Sequence, residues 1–252
     1  MITVGDYLER IGRTTKITPS YDSLALLQLQ HLASVPFENL DILSGRTIEC
    51  TQEHFLEKVV TRRRGGFCYE LNGAFSWLLR ELGFEITVVS ARVKRDTGGF
   101  GPEFDHFTII AHLDENYLVD VGFGNFSSVP VPMSGSEVAD SIGEHRVWTD
   151  DDHGYAYEQY AEGVWKPNYV FSHTRREIPE FSMMCTYHQT SSDSPFTSKE
   201  VCSILTGEGR LTISGNSLIE TVGDSRSTRD ITDKERNELL RTTFGIREQI
   251  LR

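Results

Sequence analysis

The apolar positions of this chain change period as one reads along it. Through the opening third they recur at helical intervals. In "PSYDSLALLQLQHLAS" (19–34) a leucine-rich run follows Pro19 and the cap candidate Ser20. In "TQEHFLEKVVTRRRGG" (51–66), Phe55, Leu56, Val59 and Val60 share one helical face, and the closing glycines supply a stop. From Cys68 the apolar positions are Leu71, Ala74, Phe75, Leu78, Leu79 and Leu82, again one face of a helix, with Gly83 as its stop. Cys68 therefore falls in the first turn of that helix, on its core side.

After Gly83 the period shortens to two. "FEITVVSARV", "HFTIIAHL" and "NYLVDVGF" are short, β-branched and aromatic, with turn residues between them, and "YAYEQYAEGVWKP" offers further strands. An antiparallel sheet or barrel is predicted from about residue 84 to residue 188. Near the end, "GRLTISGNSLIETVG" reads as a hairpin around Ser214, Gly215 and Asn216. "TDKERNELLRTTFGI" opens with a capping box, Thr232 and Glu235, and continues as a helix. Helices, then strands, then a small mixed piece imply an α+β fold with two or three subdomains.

Composition narrows the classes. The chain has 252 residues, 38% of them hydrophobic, and a formal net charge of −12. That is a globular composition with enough length for a sizeable core. An acidic chain is poorly suited to non-specific nucleic-acid binding, which depends on Lys and Arg contacts to phosphates. No apolar run approaches the ~18–20 residues of a membrane helix, and the opening "MITVGDYLERIGRTTK" lacks the apolar core of a signal peptide. The expected compartment is the reducing cytoplasm, and Cys50, Cys68, Cys185 and Cys202 are expected to be free thiols. They form no CxxC pair, so no metal site is expected.

Cys68 is the candidate nucleophile. A helix amino terminus presents unpaired N–H groups and the positive end of a dipole, and thiols placed there commonly have a pKa lowered from ~8.5 to between ~3.5 and ~7.5. Arg62, Arg63 and Arg64 stand just upstream as possible sources of positive potential, and Gly65 and Gly66 would permit close approach of a substrate. Against this, a cysteine at an apolar helix position is ordinarily a small buried hydrophobe. A thiolate also needs a base. Of the eight histidines, His106 opens a strand after the glycine-rich loop "RDTGGFGPEFD", and His112 on the same strand is its rival.

Asp120, inside the apolar run "YLVDVGFG", is the candidate orienting carboxylate, because a buried aspartate requires a specific donor. The simplest register is difficult. A tight hairpin through Asp114 and Glu115 sets Asp120 opposite Ile109, ~10 Å along the strand from His106. A bulge, an offset or strong twist has to close that gap, or the acid is another residue, such as Asp105 or Glu103.

In that order along the chain, "VPFENL" (35–40), "RRRGGFCYELN" (62–72), "HFTII", "YLVDVGFG" and "YHQTSSDSPFTSK" (187–199) resemble the arylamine N-acetyltransferase family. The resemblance spans most of the chain and is most specific at RGGFCYELN. It implies an N-terminal helical bundle carrying the cysteine (1–83), a central antiparallel β-barrel carrying the histidine and aspartate (84–188) and a C-terminal α/β lid (189–252). The implied catalytic core is related to that of cysteine proteases and transglutaminases, with Cys68, His106 and Asp120 as its triad. The implied activity is acetyl transfer from acetyl-CoA to an arylamine or arylhydrazine, in ping-pong order through an acetyl-cysteine. By family position, Phe37, Val93, Phe123 and Phe196 line the acceptor pocket. Gly98, Gly99 and Gly101, with Thr197 and Ser198, are the candidates for contacting coenzyme A, and Lys94 and Arg95 offer charge to its phosphates. Glu38 and Asn39 are expected to tie their loop to its neighbours. An amide synthase or a thioesterase could use the same triad, and a ligand-binding module would have no need of it.

Overall fold

The capping residues and apolar stripes of the first third become helices in a computed structural model that describes residues 1–14, 17–223 and 225–248. Helix α1 (Val4–Arg10) is capped by Thr3, and α2 (Tyr21–Ser34) by Ser20, whose hydroxyl accepts from the Ser23 N–H. A two-residue strand, β1 (Phe37–Glu38), and a single helical turn, α3 (Leu40–Leu43), follow. Helix α4 (Gln52–Leu56) runs into a π-helical turn at Glu57–Thr61. The wider turn still delivers Phe55, Leu56, Val59 and Val60 to the core, as their spacing predicts. Helix α5 (Cys68–Glu81) has Leu71, Ala74, Phe75, Leu78 and Leu79 fully buried, and it stops at Gly83, whose φ of 87° suits a residue without a side chain.

The period-two region forms β2 (Glu85–Val93), β3 (His106–His112), β4 (Asn116–Val119), β5 (Val131–Pro132), β6 (Val138–Asp140), β7 (Gly143–Asp150), β8 (Gly154–Ala161) and β9 (Val164–Arg175). These pair antiparallel in the order β5-β4-β3-β2-β9-β8-β7-β6 and curl into a nearly closed eight-stranded barrel. Its interior is filled by Val89, Ala91, Ile110, Phe126, Tyr157 and Tyr169, among others. Helix α5 lies against β2 and β3, so one apolar cluster runs from the helices into the outer face of those strands.

A 3-10 turn (Ile178–Phe181) leads to α6 (Ser182–Thr190) and the short α7 (Pro195–Ser198). Then come β10 (Val201–Leu205), β11 (Arg210–Ser214), β12 (Ser217–Val222), β13 (Ser225–Asp230) and α8 (Asp233–Thr242). The β11–β12 turn is Gly215–Asn216, with Ser214 paired to Ser217, as the sequence predicts. Thr232 caps α8, but Glu235 pairs with Arg229 instead of closing the predicted capping box. The late strands form a five-stranded sheet completed by β1, through Phe37↔Ser203 and Glu38↔Cys202. A segment more than 160 positions upstream thereby reaches the late sheet and sets Phe37 beside Phe196, ring centroids 6.0 Å apart. Among the described residues, no helix is long and apolar enough to cross a membrane.

Candidate active site

The segment before Cys68 is shaped by packing. A Cβ on Gly65 would lie 2.0 Å from the Pro36 carbonyl oxygen, and one on Gly66 would lie 2.7 Å from the Glu70 side chain. Gly65 is needed for close approach to the Pro36–Glu38 segment and Gly66 for its fit against Glu70; the Gly66 carbonyl accepts from the Glu38 N–H (2.8 Å), and neither glycine lines the cavity. Two of the upstream arginines, Arg62 and Arg64, are also committed elsewhere. Arg64 is fully buried, with Nη2 2.7 Å from Glu38 and Nη1 3.1 Å from Asp41. Lys58, equally buried, lies 2.9 Å from Glu70 and 3.0 Å from Asp41. The positive charges of Arg62 and Arg64 are thus balanced by carboxylates behind the cysteine, and Arg63 is exposed. Glu38 and Asn39 do tie the loop down: Glu38 binds Arg64 and the Leu40 N–H, and Asn39 donates to the Phe196 and Lys199 carbonyls.

The register of β3 and β4 resolves the distance between His106 and Asp120. The turn contains Leu113 as well as Asp114 and Glu115, so His112 pairs with Asn116 and Ile109 with Val119. Shifting the pairing by one residue changes the face that each side chain occupies. Asp120, just past the last paired residue, now falls opposite Thr108 and becomes the diagonal neighbour of His106 on the same face. His106 Nε2 and Asp120 Oδ2 are 2.6 Å apart. His112, the rival, is occupied by Thr87 and Asn116. Asp105 faces His188, and Glu103 accepts from Ser90.

Asp120 is fully buried and surrounded by neutral donors. Its Oδ1 accepts from Asn72 Nδ2 (2.7 Å) and the Gly122 N–H (2.9 Å), and its Oδ2 accepts from the Tyr169 hydroxyl (3.1 Å) as well as His106. Asn72 also donates to the Phe107 carbonyl and accepts from the Val121 N–H, so one amide joins α5 to both strand ends. Neither Asn72 nor Tyr169 stands out by sequence reasoning. Asn72 had a signal, a polar residue one helical turn beyond Cys68 on a buried face; Tyr169, on β9, had none. Gly122 admits no side chain, since a Cβ there would lie 2.7 Å from Cys68 Cα.

Cys68 is the first residue of α5 and is buried. Burial pushes its thiol pKa well up, and Asp120 and Asp105 push in the same direction; the N–H groups of Phe107 and Tyr69 oppose them. The helix terminus alone therefore does not produce the low pKa expected from position. A cation beside it would favour the thiolate, and His106 lines the same cavity, with Lys94, Arg95 and His188 further groups of its wall.

That cavity, of about 730 Å³, is lined by Cys68 and His106 and by each residue expected in the acceptor pocket, Phe37, Val93, Phe123 and Phe196. The ring of Phe123 sits 5.4 Å from that of His106. The cofactor candidates fare differently. Lys94 and Arg95 line the cavity, whereas Gly98, Gly99 and Gly101 stand outside it: the first two form a turn with φ of 95° and 71°, and the third packs on Asp105. Thr197 and Ser198 also lie outside, their hydroxyls bonded to carbonyls of their own turn. Tyr187, His188 and Asp193 line the cavity without having been expected.

A cysteine at a helix start, a buried histidine–carboxylate pair and an aromatic-lined cavity shared with them are the parts an enzyme of the cysteine-nucleophile class requires. A family model described as N-acetyltransferase matches residues 20–250. The arylamine N-acetyltransferase of Mycolicibacterium smegmatis is 33% identical over 85% of this chain and 81% of its own length. The Gallus gallus pineal gland isozyme NAT-10 is 30% identical over 96% of this chain and 93% of its own. The crystal structure of the Bacillus cereus arylamine N-acetyltransferase NAT3 superposes with a TM-score of 0.89, 26% identity, and coverage of 98% of this chain and 99% of that one. The chain belongs to the arylamine N-acetyltransferase family. The Bacillus cereus protein is described as having a Cys-His-Glu triad; here the carboxylate bonded to the histidine is an aspartate.

Proposed function

We propose that this protein transfers an acetyl group from acetyl-CoA to the nitrogen of an aromatic amine or hydrazine, through an acetyl group held on Cys68. The observation that carries this reading is the His106–Asp120 pair opening onto the same aromatic-lined cavity as Cys68. Asp120, as a carboxylate, only accepts, so the Nε2 of His106 carries a proton and Nδ1 is the nitrogen left to exchange protons with the thiol. Transfer of the thiol proton to Nδ1 creates a thiolate and an imidazolium together, and the buried Asp120 charge stabilises the imidazolium. Backbone N–H groups at the start of α5, including that of Cys68, are the donors for the tetrahedral oxyanion.

In the first half-reaction Cys68 Sγ attacks the thioester carbonyl, and His106 returns its proton to the departing CoA thiolate. In the second, the amine nitrogen attacks the acetyl-cysteine carbonyl, His106 accepts the amine proton, and the C–S bond breaks to release the amide and the Cys68 thiolate. An aromatic amine is weakly basic, so its lone pair is free at neutral pH. Phe37, Val93, Phe123 and Phe196 supply an apolar surface for its ring and limit competition from water. Lys94 and Arg95 are the cavity's cations for the phosphates of coenzyme A.

Intact mass spectrometry after mixing with acetyl-CoA alone tests the reading. One added acetyl group is expected, absent in Cys68→Ala and discharged by an aromatic amine. A folded protein with a reactive Cys68 that takes up no acetyl group would exclude acetyl-CoA as the donor.

A further inference from the structure

The cavity holds a second histidine–carboxylate pair that the acyl-transfer chemistry does not use. His188, in the last turn of α6, places Nε2 3.2 Å from Asp105 Oδ1, and its Nδ1 is hydrogen-bonded to the Ser194 hydroxyl (3.2 Å). Asp105 is the residue before His106. Both side chains are largely buried, 6% and 13% exposed, and both residues line the cavity. A carboxylate only accepts, so the His188 Nε2 carries a proton and donates to Asp105.

Each end of this pair is tied to an apolar residue of the cavity wall. On one side, Asp105 Oδ2 accepts from the Val93 N–H at the end of β2 (3.3 Å). The carboxylate fits there because residue 101 is glycine; a Cβ on Gly101 would lie 2.1 Å from Asp105 Oδ2. On the other side, the Ser194 hydroxyl that meets His188 also accepts from the Phe196 N–H (3.3 Å), and the His188 and Phe196 rings meet edge to face, centroids 5.3 Å apart. A continuous line of polar contacts thus runs from Val93 through Asp105, His188 and Ser194 to Phe196. Both ring nitrogens and both carboxylate oxygens are engaged in it, so the pair acts by holding a distance. Without it, Phe196 is still held through its carbonyl by Asn39 Nδ2 (2.8 Å), so the α7 turn keeps its place at one end while the ring gains freedom at the other.

We propose that His188 is a positioning residue that determines acceptor specificity: through Asp105 and Ser194 it fixes Phe196 relative to Val93, and so favours an amine carried on a flat aromatic ring over one without a ring. The proposal rests on the acyl-transfer reading above and adds to it the residue that sets its selectivity. A ring gains from two apolar surfaces only when their separation matches its thickness, and the line of contacts is what keeps that separation constant. A nucleophile with no ring gains nothing from it.

The test starts from Cys68 acetylated by 4-nitrophenyl acetate, an activated ester that needs no coenzyme A, so it stands even if acetyl-CoA is not the donor. Intact mass follows loss of the acetyl group to 4-methoxyaniline and, separately, to hydrazine, which has no ring. His188→Leu keeps a side chain of similar bulk and removes both hydrogen bonds. It should slow discharge to 4-methoxyaniline roughly tenfold more than discharge to hydrazine, mainly by raising the amine concentration needed for half the maximal rate. His188→Gln, whose amide can donate to Asp105, should restore most of the preference for the aromatic amine. An unchanged ratio of the two rates in His188→Leu, whether both fall or neither does, would overturn the proposal, and so would a ratio that His188→Gln leaves unrestored. A folded, unmutated protein whose Cys68 takes no acetyl group from the ester would overturn the acyl-transfer reading itself, and this proposal with it.

Discussion

Two buried polar networks flank the first turn of α5, and they handle charge in opposite ways. Behind Cys68, Lys58 and Arg64 are matched against Glu38, Asp41 and Glu70, with Arg62 and Glu248 at the rim. In front of it, the Asp120 carboxylate is held by an amide, a backbone N–H, a phenol and an imidazole. With Arg46 also at the rim, four cations face four carboxylates, and the rear network joins β1, α3 and the π-helical turn to the loop before Cys68. The front network carries a charge that is fully matched only when His106 takes up a proton. The front carboxylate is held by neutral hydrogen-bond donors beside His106, whereas the rear carboxylates are held by cations of their own.

The contrast can be tested where it predicts most. Asp120→Asn should lower kcat/KM by roughly 10⁴-fold, as in comparable triads, since the amide removes the charge and can donate where His106 needs an acceptor. Steady-state kinetics should show this with the acetyl-loading step slowed as well, and a rate near the unmutated one would transfer the orienting role to another acid. Arg64→Ala should instead act on stability, costing about 3–5 kcal/mol by removing the cation closest to the buried Glu38. Urea unfolding measures that loss; an unchanged midpoint would show that the rear network is not a joint.

A smaller effect separates the donors of the front network. Tyr169→Phe removes a single hydrogen bond to a charged group, worth about 1.5–3 kcal/mol, so turnover should fall roughly tenfold or somewhat more. Since Asn72 and Gly122 still hold the carboxylate, stability should fall by no more than those ~1.5–3 kcal/mol, and a larger loss would make Tyr169 a core residue first.

The smallest effect is at the rim. Burial alone would raise the Glu248 pKa, but hydrogen bonds from Arg62, Arg64 and Arg46 hold it at about 2, against an ordinary 4.5. A depressed carboxylate contributes stability above its unfolded pKa and loses it as pH falls through the folded one. Glu248→Gln should therefore narrow the stability difference between pH 6 and about pH 2 slightly, because the side chain is partly exposed and screened. Unfolding curves for both proteins at several pH values and low salt measure that difference, and parallel pH profiles would rule the contribution out.

Elements whose signals are local were legible in the sequence. Ser20 caps α2, Cys68 opens α5, Gly83 ends it, and Gly215–Asn216 turns the late hairpin, because caps and turns are made by residues within a few positions of each other. The residues of the candidate site were legible one by one, through residue type and motif order. Their joint arrangement was not. The His106–Asp120 contact depends on one residue in a turn, which sequence spacing places in the wrong register. Asn72 and Tyr169 converge on Asp120 from elements far apart in the chain. The charges of Arg62 and Arg64 are offset because their partners, Glu38, Asp41 and Glu248, arrive from distant segments. The sequence by itself determined the helices, strands, turns and chemically competent side chains, since those follow from neighbouring residues. Only the tertiary structure decided which carboxylate meets which histidine and which cations are neutralised. Those are contacts of a few ångströms between residues tens to hundreds of positions apart, and packing of the whole chain sets them.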